Sequence, residues 1–128
     1  MPQDRESGNR GRLWGYHMCQ IVADHLGATL VNPGHSNEAI WNNRRILIKS
    51  AHYGNPEIGT TVATIDRVEA IIAALEDPDG LFTLYEITPE WFKKEMSKSK
   101  STGALQTMMV KNSGVREIGI HRGRIQDH

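Results

Sequence analysis

Glu38 and Lys49 stand near the two ends of the stretch Asn37-Glu38-Ala39-Ile40-Trp41-Asn42-Asn43-Arg44-Arg45-Ile46-Leu47-Ile48-Lys49-Ser50-Ala51. Together these two side chains have the chemistry to engage a phosphate. An ammonium on an apolar strand costs several kcal/mol to desolvate unless it is paired or bound to an anion. Phosphate is one anion that suits it. A carboxylate beside such a lysine is also what metal-assisted phosphodiester cleavage uses.

A β-hairpin positions them. Asn42-Asn43 divides two apolar runs, and asparagine tolerates the positive φ that a two-residue hairpin turn demands. Ahead of the hairpin, Trp14, Met18, Ile21, Val22 and His25 or Leu26 recur at spacings of three and four, which predicts a helix over 13–26 that stops at Gly27. Ala28 to Val31 reads as a short strand, and residues 32–37 read as a loop. After the hairpin, Gly54, Pro56 and Gly59 mark another loop. Ile65, Val68, Ile71, Ile72 and Leu75 predict an amphipathic helix over 65–75, with Thr64 as its cap. Asp77-Pro78-Asp79-Gly80 is a turn, and residues 81–87 alternate as a strand. Thr88-Pro89 opens a helix that runs to about Met96. Residues 97–103 are rich in Ser and Lys, and residues 117–120 read as a last strand. The expected class is α/β, an α+β sandwich in which a small mixed central sheet is flanked by helices.

The order helix, strand, hairpin, helix, strand, with an acid opening the hairpin and Ile48-Lys49-Ser50 closing it, resembles the PD-(D/E)XK nuclease superfamily. Type II restriction endonucleases are its best-known members. The resemblance covers residues 13 to 87 and implies a restriction-endonuclease-like core. It also implies a metal-dependent DNA endonuclease; a subunit of 128 residues is small for cutting both strands alone, so a homodimer is expected. Two carboxylates would hold Mg²⁺ (or Mn²⁺), and the lysine would stabilise the attacking water or the phosphorane. By that resemblance Glu38 is the first metal ligand and Lys49 the catalytic lysine. The pattern departs at Leu47, where the second acid belongs. Glu69, on the expected helix of residues 65–75, is the first replacement, and Glu57 the second. Ser50 and His52 are expected in the same pocket.

Charge divides the chain unevenly. Residues 13–89 hold four Lys/Arg against nine Asp/Glu, and residues 90–128 hold eight against four. Such asymmetry fits a basic region that meets a polyanion. Lys98, Lys100, Lys111, Asn112 and Arg116 are its candidate nucleic-acid contacts, on DNA or RNA. Two other functions fit the same residues: a catalytically inactive nucleic-acid-binding module on the same fold, for which Leu47 argues, and a protein-interaction domain anchored by Trp14, Trp41 and Trp91.

The 128 residues suffice for one domain, expected over 13–128 with a basic region from about 90, behind a polar, disordered segment over 1–12. No apolar run approaches the ~20 residues that span a bilayer. The N-terminal residues lack the apolar segment of a secretory signal. One cysteine, Cys19, permits no internal disulfide and no cysteine zinc cluster. A cytoplasmic setting is the expectation.

Overall fold

A computed structural model of the chain describes residues 5–98 and 107–127. The elements are α1 (Arg5–Leu26), β1 (Thr29–Leu30), β2 (Glu38–Trp41), β3 (Arg44–Ala51), β4 (Glu57–Thr61), α2 (Val62–Arg67), β5 (Ala70–Glu76), β6 (Phe82–Ile87), α3 (Pro89–Glu95), β7 (Ser97–Lys98), β8 (Thr107–Lys111), α4 (Asn112–Ile118) and β9 (Ile120–Ile125). Six strands form a mixed sheet in the order β1-β2-β3-β5-β6-β9, and β4-β8-β7 form a smaller antiparallel sheet. Only β3 and β5 run parallel within the large sheet. This is the α+β sandwich that the sequence implies, with helices on both faces of the central sheet.

Two apolar layers sandwich that sheet. Met18, Cys19, Val22 and Ala23 of α1 pack on Ile46, Ile48, Ile72 and Phe82. On the other face Leu47, Ile71, Ala73 and Leu75 meet Ile65, Phe92 and Val115 from the shorter helices. β3 and β5 therefore alternate their side chains between two cores, and β5 is buried along almost its whole length. A strand covered on both faces reads as a continuous apolar run.

That explains the main correction to the sequence reading. Residues 65–75 do not form one helix: α2 ends at Arg67, and Ala70-Ile71-Ile72-Ala73-Ala74-Leu75 is strand. The apolar run fits either period, and no glycine or proline marks the break at Val68-Glu69. The cap is Thr61, whose hydroxyl accepts from the Thr64 backbone N–H at 3.3 Å. Three further bounds move. α1 begins at Arg5, inside the segment expected to be disordered, while residues 1–4 lie outside the described residues. Residues 57–59 belong to β4 rather than to a loop. Residues 117–118 close α4, and the last strand follows them.

Several local signals act as the sequence implies. Gly27 has φ +76° and ends α1, with the Ala28 N–H donating to the Ala23 carbonyl at 2.8 Å. Asn42 and Asn43 have φ of 52° and 63°, the mirror-image turn that suits twisted strands. Thr88 caps α3 through a 3.0 Å bond from the Trp91 N–H, with Pro89 in the first turn.

Gly119 joins α4 to β9 where the backbone passes close to β6. A Cβ there would lie 2.7 Å from Tyr85 Cβ and 2.7 Å from the Val115 carbonyl oxygen. Gly119→Ala should therefore cost about 1–3 kcal/mol through overpacking. Urea unfolding measures this, and an unchanged midpoint would contradict it.

Candidate functional site

The hairpin register sets Glu38 directly opposite Leu47. Alternation along β3 then places Lys49 on the same face. β2 stops at Glu38, so no residue of β2 pairs with Lys49, and one flank of this lysine opens into a cleft. The cleft has two arms. A cavity of about 310 Å³ is lined by Arg12, Trp14 and Ser50 among others, and one of about 230 Å³ by His35, Leu47, Thr64 and Arg67 among others. Tyr16, Asn37 and Lys49 line both.

Glu38 is buried at the edge of this cleft and is fully engaged. Its Oε1 accepts from Arg45 Nε at 2.7 Å and Arg67 Nε at 3.1 Å, and its Oε2 accepts from Arg67 Nη2 at 2.8 Å. The bonds from Arg67, with help from Arg45, outweigh burial and hold the carboxyl down at about 2. Such a carboxylate is ionised and already neutralised.

Lys49 is the opposite case. Burial lowers its pKa below the ordinary lysine value. Among the described residues it has no ion pair and no hydrogen-bond acceptor. Cys19 lies near it across the α1–β3 layer. Burial pushes that thiol up to about 12, and its Sγ donates to Asn37 Oδ1 at 3.1 Å. Cys19 is thus a neutral core residue whose thiol holds Asn37. Ser50, the next residue of β3, has a buried hydroxyl oxygen without a partner among the described residues.

The other expected ligands lie elsewhere. Glu69 is exposed on the bend between α2 and β5, not on a helix, and its backbone N–H donates to the Arg45 carbonyl at 2.7 Å. Glu57 opens β4 opposite Lys111. Neither lines the cleft. Among the described residues no three His, Cys, Asp or Glu side chains gather as a metal site would need. Glu38 with both oxygens taken, and Leu47 facing it, do not fit Mg²⁺ or Mn²⁺. His52 is exposed and lines neither arm of the cleft. It stacks on Trp14 at 3.8 Å between ring centroids, and its Nδ1 lies 3.3 Å from Glu76 Oε1.

Four of the eight Lys/Arg of the basic region, Lys93, Arg116, Arg122 and Arg124, pair with acids of the same chain. Arg116 and Arg124 both bond Asp77, at 2.7 and 3.0 Å, and Arg124 also reaches Asp79 at 2.9 Å. Burial would raise the Asp77 carboxyl, but bonds from Thr83, Arg124 and Arg116 bring it below its usual value. Arg122 pairs with Glu86 at 2.7 Å, and Lys93 pairs with Asp66. Asn112 is buried, with Nδ2 donating to the Asn55 carbonyl at 2.8 Å and Oδ1 without a partner among the described residues. Lys111 is exposed, Lys98 closes the short β7, and Lys100 lies outside the described residues. The tryptophans are partly buried: Trp14 against the α1 core, Trp41 between Arg44 and Arg122 at 5.4 and 5.5 Å, and Trp91 against the second core.

Sequence reasoning named Glu38 and Lys49 but missed their neighbours. Arg45 carried a signal, since in a hairpin turning at Asn42-Asn43 it shares a face with Glu38 and sits diagonally across from it. Tyr16 and Arg67 carried none, because tertiary packing alone brings α1 and α2 to the cleft. Among the described residues no helix is long and apolar enough to cross a membrane. No protein-family model matches the chain, and no curated protein matches it.

Proposed function

We propose that this chain is a nucleic-acid-binding module in which the face used for metal-dependent cleavage by PD-(D/E)XK nucleases serves instead as an anion-binding cleft. The observation that carries this reading is Lys49, an ammonium largely withdrawn from water that has no counter-ion among the described residues. Desolvating an unpaired ammonium is costly, and an anionic ligand relieves the cost. Arg12 and Arg67 line the two arms of the same cleft, while Glu38, the one acid lining it among the described residues, is neutralised. A phosphodiester backbone supplies regularly spaced anions that such a cleft can follow.

The test is fluorescence anisotropy with labelled single- and double-stranded DNA and RNA, between 50 and 200 mM salt, with EDTA or Mg²⁺. Binding should fall steeply with salt and ignore EDTA. Lys49→Ala should weaken it about tenfold, as loss of one charge-assisted contact does. Supercoiled plasmid should stay intact with Mg²⁺ or Mn²⁺. Mg²⁺-dependent nicking that Glu38→Ala abolishes would restore the nuclease reading. Absence of salt-sensitive binding to every probe would remove nucleic acid as the ligand.

A further inference from the structure

We propose that the ligand of the Lys49 cleft is a single strand whose bases pass from the cleft over His52 and Tyr53, where one base sets an exocyclic amino group into a second cavity. The proposal rests on the nucleic-acid reading above and narrows it to a strand with unpaired bases.

The end of β3 carries both halves of such a site. Lys49 and Ser50 line the larger arm of the cleft, while Ala51, His52 and Tyr53 line a separate cavity of about 210 Å³. Trp14 joins the two. It lines the same cleft arm as Lys49 and stacks on His52, with ring centroids 3.8 Å apart and planes inclined by 25°. At ~3.3 Å per residue, Lys49 and His52 stand about 10 Å apart along the chain. A cation followed by aromatic rings is the arrangement that holds a single strand, by its phosphates and by the faces of its bases. In a duplex those faces are already stacked on one another.

Tyr53 is 65% exposed, yet the loop that carries it is held on both sides. The Tyr53 N–H donates to Glu76 Oε1 at 2.8 Å. Asn112 secures the far end: its Nδ2 donates to the Asn55 carbonyl and its backbone N–H to the Pro56 carbonyl, each at 2.8 Å. A ring kept in water by a secured backbone loses little freedom when a base stacks on it.

The second cavity has the polarity of a base edge rather than of a phosphate. Asn112 lines it and is 8% exposed, and its buried Oδ1 has no donor among the described residues. A buried acceptor without a donor is costly, and a ligand N–H relieves it. Glu76 adds a carboxylate to the lining. Arg116, which also lines the cavity, is taken by Asp77 at 2.7 Å and by the Glu76 carbonyl at 3.0 Å. Acceptors without a free cation suit the amino group of cytosine, adenine or guanine, and not the carbonyl that uracil carries in its place. The volume lies below that of sites for whole small molecules, so it takes the edge of one base.

Fluorescence anisotropy of the full chain with labelled oligo-dC, oligo-dU and a mixed-sequence duplex, at one low salt concentration, tests this. Cytosine and uracil are alike in size and differ at the amino group. Oligo-dC should bind roughly tenfold more tightly than oligo-dU, as one good donor–acceptor match gives. Both should bind more tightly than the duplex. Tyr53→Ala should weaken single-strand binding about tenfold and leave duplex binding unchanged. Tyr53→Phe keeps the ring and should bind like wild type. Equal affinity of the wild-type chain for oligo-dC and oligo-dU would overturn the amino-group assignment, whatever the variants do. Single-strand binding untouched by Tyr53→Ala, or no tighter than duplex binding, would overturn the base platform. If Lys49→Ala still weakened salt-sensitive binding in those cases, the nucleic-acid reading would stand without this inference. Failure to bind any of the three probes would remove both.

Discussion

Glu38→Gln should lower the free energy of unfolding at pH 7 by about 2 kcal/mol and remove part of the acid sensitivity of the fold. The native carboxyl is lowered from 4.5 to about 2, chiefly by the Arg67 bonds. A shift of that size amounts to about 3 kcal/mol in favour of the ionised native form. Arg45 and Arg67 are 38% and 48% exposed, so water screens part of the interaction and about 2 kcal/mol remains. Glutamine keeps the shape, but its amide NH₂ must face a guanidinium, donor against donor. The pH dependence follows from the direction of the shift. A depressed carboxyl stabilises the native state fully above the unfolded pKa, near 4.5, and the contribution fades as pH falls toward 2. The gap between wild type and Glu38→Gln should therefore close over that window. Asp77 and Asp79 are lowered as well, so only the difference between the two proteins isolates Glu38. Urea unfolding at a series of pH values reads it, and a gap that stayed constant down to pH 2 would show that Glu38 is not the group responsible.

This network shows which parts of the site local sequence could carry. A two-residue Asn-Asn turn fixes the hairpin register, and the register fixes that Glu38 faces Leu47 and shares its face with Arg45 and Lys49. Those relations are local and were legible. Arg67 is not local: it reaches Glu38 because α2 ends beside β3 before the chain enters β5. Reading residues 65–75 as one helix hid that ending and placed Glu69 at a helix rim, when the fold puts it on an exposed bend. The same limit applies to charge. The acidic middle and basic final third look from sequence like a pocket and an arm for separate partners. In the fold Arg116, Arg122, Arg124 and Lys93 close much of that asymmetry on Asp77, Asp79, Glu86 and Asp66. Composition cannot distinguish cations that await a polyanion from cations that face their own acids across a sheet. The distinguishing property is whether each charge has found its partner, and it singles out Lys49 from the arginines of the C-terminal third.

Lys49→Met should accordingly raise stability while removing binding. Methionine is close in length, is unbranched and brings no charge to desolvate. The native protein holds an ammonium in a largely dehydrated position without a counter-ion among the described residues, and relieving that should stabilise the fold by about 1–2 kcal/mol near neutral pH. The pH dependence again has a definite sign. A lysine whose folded pKa is depressed binds fewer protons in the native state than in the unfolded one, so wild-type stability rises with pH between the lowered value and 10.5. The advantage of Lys49→Met should shrink across that window as the wild-type amine becomes neutral in both states. Cys19, whose buried thiol is pushed up to about 12, lowers stability above its ordinary value of 9.0 in both proteins, and the difference between them cancels most of that effect. Anisotropy under low salt should show the stabilised variant binding at least tenfold more weakly. A residue kept for its interaction with a ligand, at the expense of the fold, produces this opposition of stability and affinity. If Lys49→Met were less stable than wild type at pH 7, Lys49 would be a structural group satisfied within the chain, and the case for an anionic ligand at this position would fall with it.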